Sequence, residues 1–267
     1  MQAYRDKVVW ITGASSGVGE GLAEAFAEAG AKLILSARRI VELERVRAKL
    51  GNTESLVLPM DVTRYDTFDT NVRTVEQRFG RLDLLVCNAG IGQRSRVADT
   101  SLETYRKIIE VDLIAVIAHV QAVLPMLRRQ HGGHIAVTSS VAGKYGLPNL
   151  SGYCAAKHGI QGFCDSLRAE EAEHNIDVST LILAGVNSRV NENALTGDGE
   201  PYGEGAIEGH MSAIDAGRII VRQLARRRPE INVIADRRAR AALLMQRLMP
   251  SRVYRRMAKI AQLPAWK

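Results

Sequence analysis

The sequence predicts a single α/β domain built on a doubly wound parallel sheet with helices on both faces. Apolar runs rich in β-branched residues alternate along the chain with segments of helical spacing, which is the pattern of a parallel sheet covered on both sides. A glycine-rich turn follows the first apolar run, and no repeat or linker is visible before about residue 236. A chain of 267 residues can bury a large core without disulfides or a structural metal.

Seven segments are predicted to be strands because each is a short apolar run. In chain order they cover residues 7–12, 31–35, 55–60, 82–87, 134–139, 177–183 and 231–235. Apolar residues at helical spacing predict helices between them. One starts directly after the glycine-rich turn, and the others cover 66–79, 102–129, 153–174 and 213–226. The long helix over 102–129 is predicted to break near Asp112.

The positive charge of the chain is concentrated at its C-terminal end. Of the 36 Lys and Arg, nine lie within 237–267, which holds no acid, so 27 basic residues face 29 acids elsewhere. The body is therefore close to neutral, and a high pI of this origin gives little support to a nucleic-acid role. We divide the chain into a body over 1–236 and a basic amphipathic extension over 237–267.

The cysteines and histidines predict neither disulfides nor a metal site. Cys87, Cys154 and Cys164 are odd in number and lack metal-site spacing, which predicts reduced thiols in a cytoplasmic protein. The six histidines do not cluster on a common turn. The first residues run directly into an apolar strand, which predicts no signal peptide, and no apolar run is expected to span a bilayer.

The strongest local signal is the segment Gly13-Ala-Ser-Ser-Gly-Val-Gly19, between the first strand and the first helix. Glycine permits a tight turn and lets the backbone approach a pyrophosphate, whose charge would meet the free N–H groups of the helix start. The alternative is an ordinary turn, but the strand–turn–helix setting favours a dinucleotide site. The predicted contacts in this turn are Gly13, Ser15, Ser16, Gly17, Val18 and Gly19.

The end of the second strand indicates which dinucleotide binds. An acid there would bind a ribose diol and favour NAD, whereas the sequence has Arg38 and Arg39. Planar guanidinium groups suit a 2′-phosphate, so we predict NADP(H) as the cofactor. The alternative is a pair of solvated arginines at the start of a helix.

Tyr153 and Lys157 are four residues apart and would project from one face of a helix. The spacing is common on helix surfaces, so the pair alone is weak evidence. Its helix, however, would begin at the carboxyl edge of the sheet, where ligands bind in such folds. A lysine at that place would favour the phenolate of a tyrosine whose ordinary pKa is near ~10.

Together these motifs resemble those of the short-chain dehydrogenase/reductase family, over roughly residues 5 to 235. The glycine turn resembles the cofactor turn of that family, and Ser140, Tyr153 and Lys157 match its catalytic residues in type and spacing. The resemblance implies a Rossmann-type fold. It also implies cofactor contacts at Asp61, Val62, Asn88, Ala89 and Gly90, in addition to Tyr153 and Lys157.

The resemblance further implies a mechanism. Tyr153 would exchange a proton with a carbonyl or hydroxyl oxygen, and Ser140 would hold that oxygen. Lys157 would hydrogen-bond the nicotinamide ribose and lower the pKa of the tyrosine. Hydride chemistry would belong to the cofactor.

Two positions depart from the family pattern. Asp112 stands where the family has an asparagine that holds a water in a proton relay, and an ionised carboxylate cannot donate a hydrogen bond. A buried acid there is predicted to pair with Lys157, which makes Asp112 a further candidate catalytic residue. Ala184 replaces a proline, which predicts a looser loop. Val186 and Ser188 are the predicted nicotinamide contacts in that loop.

Substrate specificity is expected to reside in the polar, glycine-rich segment 189–212, where the family places a lid; the alternative is a plain surface loop. The composition of the pocket suggests a moderately apolar carbonyl or secondary alcohol. Segment 191–199 and the basic tail resemble a branch of reductases linked to lipids, steroids or retinoids, which implies a substrate of that type. Beside Ser140, the pocket is expected to be lined by Tyr145, Leu147, Pro148 and Asn149.

The extension over 237–267 mixes apolar residues with arginines. It is either an interfacial helix on anionic lipid or a segment that docks on its own body or on a second subunit. For the whole chain we expect an NADP(H)-dependent dehydrogenase/reductase acting on a small-molecule carbonyl or alcohol. We expect a homodimer or homotetramer formed through the helices over 102–129 and 153–174. The alternative is a nucleotide-binding sensor or scaffold with little turnover.

Overall fold

A seven-stranded sheet forms the centre of the protein. The strands are Val8–Thr12 (β1), Lys32–Ser36 (β2), Ser55–Val57 (β3), Leu84–Cys87 (β4), Gly133–Ser140 (β5), Ile176–Ala184 (β6) and Glu230–Ile234 (β7). Their spatial order is β3-β2-β1-β4-β5-β6-β7, and every neighbouring pair is parallel. The order reverses at β1 and β4, which leaves a crevice at their carboxyl ends. The structure is a computed structural model and describes residues 3–188, 190–203 and 211–262.

Helices cover both faces of the sheet, which confirms the predicted fold class. They are Gly17–Glu28 (α1), Ile40–Lys49 (α2), Phe68–Phe79 (α3), Leu102–Ile109 (α4), Ala115–Arg129 (α5), Ser151–Glu170 (α6), Ala213–Leu224 (α7), Arg237–Leu248 (α8) and Pro250–Ile260 (α9). The core on one face takes side chains from α1, α2 and α7, and the core on the other face takes them from α3, α5 and α6.

The first strand shows why the strands read as continuous apolar runs. Val9 and Ile11 lie in one core, whereas Val8 and Trp10 lie in the other, because successive side chains of a strand point to opposite faces. A strand between two helical layers therefore needs an apolar residue at each of these positions.

The long helix over 102–129 is interrupted where the sequence predicted a break. α4 ends at Ile109, α5 begins at Ala115, and Glu110–Ile114 forms a π-helical turn between them. Single π turns inside helices are frequent at functional sites. This turn carries Asp112, which is completely buried.

Several boundaries differ from the prediction by a few residues. β3 ends at Val57 instead of residue 60, because Pro59 has no N–H to continue the ladder. The N–H groups of Leu58 and Met60 still donate to carbonyls of β2 and of the residue that follows it. α6 begins two residues earlier than predicted and ends at Glu170, and α7 ends two residues earlier.

Among the described residues, one helical stretch is apolar enough, by length and composition, to cross a membrane, so the expectation that no run reaches that length is wrong. This stretch is Leu102–Arg129. Its residues Val116, Val120 and Val123 pack in the core beneath the sheet. A core helix of this kind meets the same criterion, so the stretch is not evidence for a membrane span.

The C-terminal extension forms α8 and α9, with Pro250 at the start of the second helix. Ala239, Ala242 and Val253 are buried in a small core that also contains Ile234, the last residue of β7. One face of the extension therefore docks on the body of the protein, as one of the two alternatives predicted.

Candidate active site

A cavity of about 730 Å³ lies at the carboxyl edge of the sheet. It collects residues that are distant in sequence, from the glycine turn after β1 to the loop after β6. The predicted site residues that line it are Gly13, Ser15, Ser16, Gly17, Val18, Arg38, Arg39, Asp61, Val62, Asn88, Ala89, Gly90, Ser140, Tyr153, Lys157, Val186 and Ser188. Two predicted residues, Gly19 and Asp112, do not line the cavity and lie behind its wall.

The glycine turn requires glycine for two separate reasons. Gly13 and Gly17 have φ angles of 67° and 56°, in the left-handed region that other residues rarely adopt. Gly19 lies so close to the turn that a Cβ there would be 2.1 Å from the carbonyl oxygen of Gly13. The turn therefore packs closely on the start of α1 and lets the backbone approach a ligand at Gly13 and Gly17, which fits a bound pyrophosphate.

Asn88 ties three strands together beneath the cavity. Its Nδ2 donates to the carbonyl oxygen of Thr12 at 3.2 Å, and its Oδ1 accepts from Thr138 Oγ1 at 3.2 Å. The Thr12 hydroxyl in turn accepts the N–H groups of Asn88 and Ala89, at 3.0 and 3.1 Å. The ends of β1, β4 and β5 are thereby held in register at the place where the cofactor is expected.

The far end of the cavity carries the two arginines that predict NADP(H). Arg38 and Arg39 are both exposed, and neither has an ion pair with a residue in the described ranges. Nearby, Asp61 accepts the N–H and the hydroxyl of Thr63 at 3.0 and 2.8 Å. Burial opposes ionisation of Asp61, but the bonds from Thr63 and the charge of Arg38 outweigh it and lower its pKa. The guanidinium groups therefore remain available to an anionic ligand.

Tyr153 and Lys157 share one face of α6, as their spacing predicts. Lys157 Nζ lies 5.4 Å from the centroid of the Tyr153 ring and donates to the carbonyl oxygen of Thr138 at 3.2 Å. Ser140 faces them from the end of β5, and its Oγ accepts the N–H of Ala142 at 3.1 Å. The structure thus brings the three predicted catalytic residues to one end of the cavity.

The protonation of Tyr153 differs from the sequence-based expectation. Burial is the largest influence on its pKa and raises it. Lys157 and the hydroxyl of Ser140 lower the pKa, whereas the carboxylate of Asp112 raises it, and the net direction is upward. Lys157 lowers the tyrosine pKa as expected, but burial, which was not visible in the sequence, outweighs that contribution.

Asp112 pairs with Lys157, as predicted. Its Oδ1 accepts the N–H of Ile91 at 2.7 Å, and its Oδ2 lies 3.3 Å from Lys157 Nζ. Oδ2 is buried and outside hydrogen-bonding geometry, so this contact is an ion pair more than a directed bond. Burial lowers the pKa of Lys157, but the charge of Asp112 outweighs that effect and raises it. Burial raises the pKa of the Asp112 carboxyl, and the charge of Lys157 offsets only part of that rise.

Gln93 is a site residue that the sequence did not reveal. α6 has no side-chain cap of its own, and the completely buried Gln93 supplies one from another loop. Its Oε1 accepts the N–H groups of Gly152 and Tyr153 at 2.7 and 3.4 Å. Its Nε2 donates to the hydroxyls of Ser95 and Thr100, both at 3.2 Å. Gln93 therefore fixes the start of the helix that carries Tyr153.

Replacing Gln93 by methionine should lower kcat about tenfold and leave the dissociation constant of NADPH unchanged. Methionine keeps the length of the side chain but leaves the buried N–H of Gly152 without an acceptor, at a cost of about 1–3 kcal/mol. Steady-state kinetics and NADPH titration would measure both quantities. Gln93→Glu is the matched variant, because it keeps the acceptor and should retain most of the activity. Wild-type kcat in Gln93→Met would contradict the capping role.

The cavity near Ser140 and the predicted lid is lined by both apolar and polar residues. The apolar lining residues there are Ala142, Leu147, Leu150, Val190, Leu195 and Pro201, and the polar ones are Arg94, Lys107, Asn191, Glu192 and Asn193. Several of these belong to the predicted lid, of which residues 189 and 204–210 lie outside the described residues. Leu195 pairs with Gln93, and Arg94 Nη2 donates to Asn191 Oδ1 at 2.6 Å. The described part of the lid is thus fastened to the loop after β4.

Two expectations about this region are wrong. Of the four residues expected beside Ser140, only Leu147 lines the cavity, and Tyr145 is buried in the small core under the C-terminal extension. Ala184, expected to loosen its loop, is the last residue of β6, and its carbonyl accepts the N–H of Ala235 at 3.0 Å. The sheet therefore holds the backbone where the family has proline.

Over the described ranges, no group of three His, Cys, Asp or Glu could hold a metal ion.

The family model for short chain dehydrogenase matches residues 7–198. The chain therefore belongs to the short-chain dehydrogenase/reductase family of oxidoreductases. It is 38% identical over 264 residues to Dehydrogenase/reductase SDR family protein 7-like of Drosophila melanogaster, which covers 96% of this chain and 80% of that relative. It is 42% identical over 200 residues to Dehydrogenase/reductase SDR family member 7 of Homo sapiens, which covers 72% of this chain and 59% of that relative.

Solved structures show the same fold. A short chain dehydrogenase/reductase from Burkholderia phymatum in complex with NAD has a TM-score of 0.83 at 23% identity, over 94% of this chain and 96% of that chain. A metagenomic short-chain oxidoreductase in complex with NADP has a TM-score of 0.71 at 25% identity, over 88% of this chain and 99% of that chain. The two structures contain different dinucleotides, so the choice between NAD and NADP depends on the residues of the present chain.

Proposed function

We propose that the protein is an NADP(H)-dependent oxidoreductase that interconverts a carbonyl and an alcohol on a moderately apolar substrate. The observation that carries the proposal is the meeting of Ser140, Tyr153 and Lys157 at one end of a cavity whose other end presents Arg38 and Arg39. The backbone cradle at the glycine turn and the two arginines without ion-pair partners in the described residues support a dinucleotide with a 2′-phosphate.

The side chains divide the proton chemistry between them. Ser140 holds the substrate oxygen, and the Tyr153 hydroxyl gives that oxygen a proton during reduction or, as a phenolate, takes one during oxidation. Lys157 keeps a positive charge beside the phenol and reaches the ribose side of the cavity. The bound dinucleotide supplies or accepts the hydride.

The apolar lining favours a substrate of lipid, steroid or retinoid type over a sugar or a charged metabolite. Six apolar side chains surround the substrate end, whereas the polar groups lie in the lid, in the loop after β4 and on α4. Apolar walls with a few polar groups for orientation are the usual composition of small-molecule pockets.

The proposed assembly is a homodimer or homotetramer formed through α4–α5 and α6. Less than half of the apolar window in Leu102–Arg129 is buried, and Leu102 is 72% exposed, which supports a further contact on this helix. The proposed location is the cytoplasm, with part of the protein at a membrane surface.

A substrate screen would test the proposal. NADPH consumption would be followed with a panel of ketones and aldehydes of increasing apolar size, and NADP⁺ reduction with the matching secondary alcohols. We expect turnover that improves with apolar size. Tight NADPH binding without turnover of any member of the panel would favour a nucleotide-binding sensor or scaffold, whose charged Asp112–Lys157 pair would then be structural.

We also propose that 1–236 carries the chemistry and that the extension over 237–267 rests on an anionic lipid surface. Leu244, Leu248 and Tyr254 are 62%, 66% and 57% exposed on α8 and α9. The same two helices expose eight basic residues and contain no acid, and this combination of apolar and cationic groups complements anionic lipid. The basic residues are Arg237, Arg238, Arg240, Arg247, Arg252, Arg255, Arg256 and Lys259.

Replacing Leu244 and Leu248 together by glutamine should weaken binding to vesicles of phosphatidylglycerol and phosphatidylcholine about tenfold or more. Burying two leucines at an interface contributes about 1.5–3 kcal/mol each. Co-sedimentation measures the bound fraction. The matched control replaces the exposed Ile40 and Val41 on α2 by glutamine, which removes apolar surface outside the extension and should leave vesicle binding unchanged. Equal binding of both double variants, or no binding of the wild type, would reject the membrane contact.

A further inference from the structure

Three titratable side chains, those of Asp112, Lys157 and Tyr153, adjoin one another at the centre of the site. The carboxylate of Asp112 lies 3.3 Å from Lys157 Nζ, and that nitrogen lies 5.4 Å from the ring centroid of Tyr153. Asp112 is 0% exposed and Lys157 is 4% exposed, so water screens their charges poorly. The three groups extend from Asp112 in the π turn to Tyr153 at the cavity wall.

The net charge beside Tyr153 depends on the residue at position 112. An amide at residue 112 would leave the ammonium as the only full charge beside the phenol. The carboxylate that this chain has there makes the ion pair neutral overall, and a neutral pair stabilises a neighbouring phenolate less than an isolated cation does. Cys154 on α6 also raises the pKa of Tyr153, and the charged residues Arg94, Lys107 and Glu192 line the same cavity.

The neighbours of Tyr153 act in opposite directions on its pKa. The Cys154 thiol is buried, and burial raises its pKa, so it is a neutral neighbour at physiological pH. The hydroxyl of Ser140 hydrogen-bonds the phenol and favours the phenolate, but burial of the phenol and the charge of Asp112 oppose it. The sum favours the neutral phenol.

We propose that Asp112, through its ion pair with Lys157, keeps Tyr153 in its proton-donating form at neutral pH, so that the phenolate needed for alcohol oxidation is populated only at alkaline pH. The proposal depends on the proposed oxidoreductase function and adds the protonation state of its tyrosine to it. Asp112 touches neither substrate nor cavity, so it is a positioning residue that acts through Lys157.

Reduction and oxidation require different protonation states of Tyr153. In reduction, the carbonyl carbon gains a hydride from the dinucleotide while the O–H bond of Tyr153 breaks and its proton moves to the substrate oxygen. The phenolate left behind is reprotonated from solvent before the next turnover. In oxidation, the phenolate must be present first, to take the hydroxyl proton as the hydride leaves for the oxidised dinucleotide. A site that disfavours the phenolate therefore performs oxidation well only at alkaline pH.

The ionisation of Tyr153 can be measured without turnover. Absorbance of tyrosinate near ~295 nm would be recorded against pH for each protein and for the same protein carrying Tyr153→Phe, so that their difference isolates one phenol. We expect the Tyr153 step of Asp112→Asn to lie at lower pH than that of the wild type. Asp112→Ser, which also removes the charge, serves if the amide variant does not fold. A step at the same or a higher pH in the variant that folds would overturn the proposal.

A matched carboxylate provides the control. Glu110 lies in the same π turn but hydrogen-bonds Tyr65, away from Lys157. Glu110→Gln should leave the Tyr153 step in place. If it shifts that step as far as Asp112→Asn does, the effect belongs to the turn and not to the ion pair, and the proposal fails.

Kinetics would then test whether this ionisation controls catalysis. In Asp112→Asn, the pH profile of kcat/KM for alcohol oxidation should move to lower pH, in step with the Tyr153 titration. An unchanged profile together with a shifted Tyr153 step would overturn the link to catalysis. Absence of turnover in every protein would refute the oxidoreductase function, while the titration of Tyr153 would still report on the ion pair.

Discussion

Tyr153→Phe should reduce turnover about 10³-fold while leaving the NADPH dissociation constant within about twofold of the wild type. The substitution removes one oxygen and keeps the ring, so the packing of Tyr153 against Lys157 and the wall of the cavity is preserved. Only the proton donor for the substrate oxygen is lost. Without it, the alkoxide that forms during reduction would have to be protonated by water.

The loss of activity must be specific to this hydroxyl. Tyr105 provides the matched control, because its hydroxyl hydrogen-bonds Ser151 at the start of the same helix, 2.7 Å away, and does not line the cavity. Tyr105→Phe should keep most of the activity. Measurements would combine NADPH oxidation with the best carbonyl substrate and fluorescence titration of NADPH. If Tyr153→Phe retained more than about a tenth of wild-type kcat, the tyrosine would not be the proton donor.

Arg38→Asp should reverse the preference for NADPH over NADH by a combined factor of roughly 30 to 100. A charge-assisted contact to a phosphate contributes about 1.5–3 kcal/mol, and a carboxylate at the same place would repel the phosphate and accept the ribose hydroxyls of NADH. Arg38 is exposed at the cavity and has no ion-pair partner among the described residues, so the substitution breaks no ion pair there.

The ratio of the two dissociation constants is the informative quantity. Arg73→Asp is a suitable control, because Arg73 is an exposed arginine on α3 that does not line the cavity, and the net charge changes equally. Titrations at two salt concentrations would separate a local contact from a general charge effect, since long-range attraction weakens with ionic strength. An unchanged ratio in Arg38→Asp would show that another group selects the cofactor.

The fold, and the gathering of most candidate site residues around one cavity, could be predicted because their signals are local. Each strand is a short apolar run, and the glycine turn combines a left-handed backbone with close packing that only glycine tolerates. Tyr153 and Lys157 share a helix, so their spacing alone places them together. The pairing of Asp112 with Lys157 was predictable once both positions had been matched to a family pattern.

The features that could not be predicted depend on tertiary contacts. The capping of α6 joins Gln93 to Gly152, 59 residues away, and glutamine has no sequence pattern that announces such a role. The pKa of Tyr153 depends on burial, which is a property of the assembled cavity. Tyr145 was misplaced for a similar reason, since the core under α8 and α9 exists only after the C-terminal extension has packed back on the body.

Because Gln93 bonds the start of α6 and pairs with Leu195, efforts to change substrate preference by redesigning the lid face a practical constraint. Variants that alter the backbone near residue 195 would displace the Gln93 side chain that fixes the start of α6, and with it Tyr153, the proposed proton donor. Selectivity gained in the loop would then be offset by slower turnover. Libraries that vary the outer residues 191–193 and retain both members of this bridge should yield more active clones than fully randomised lids.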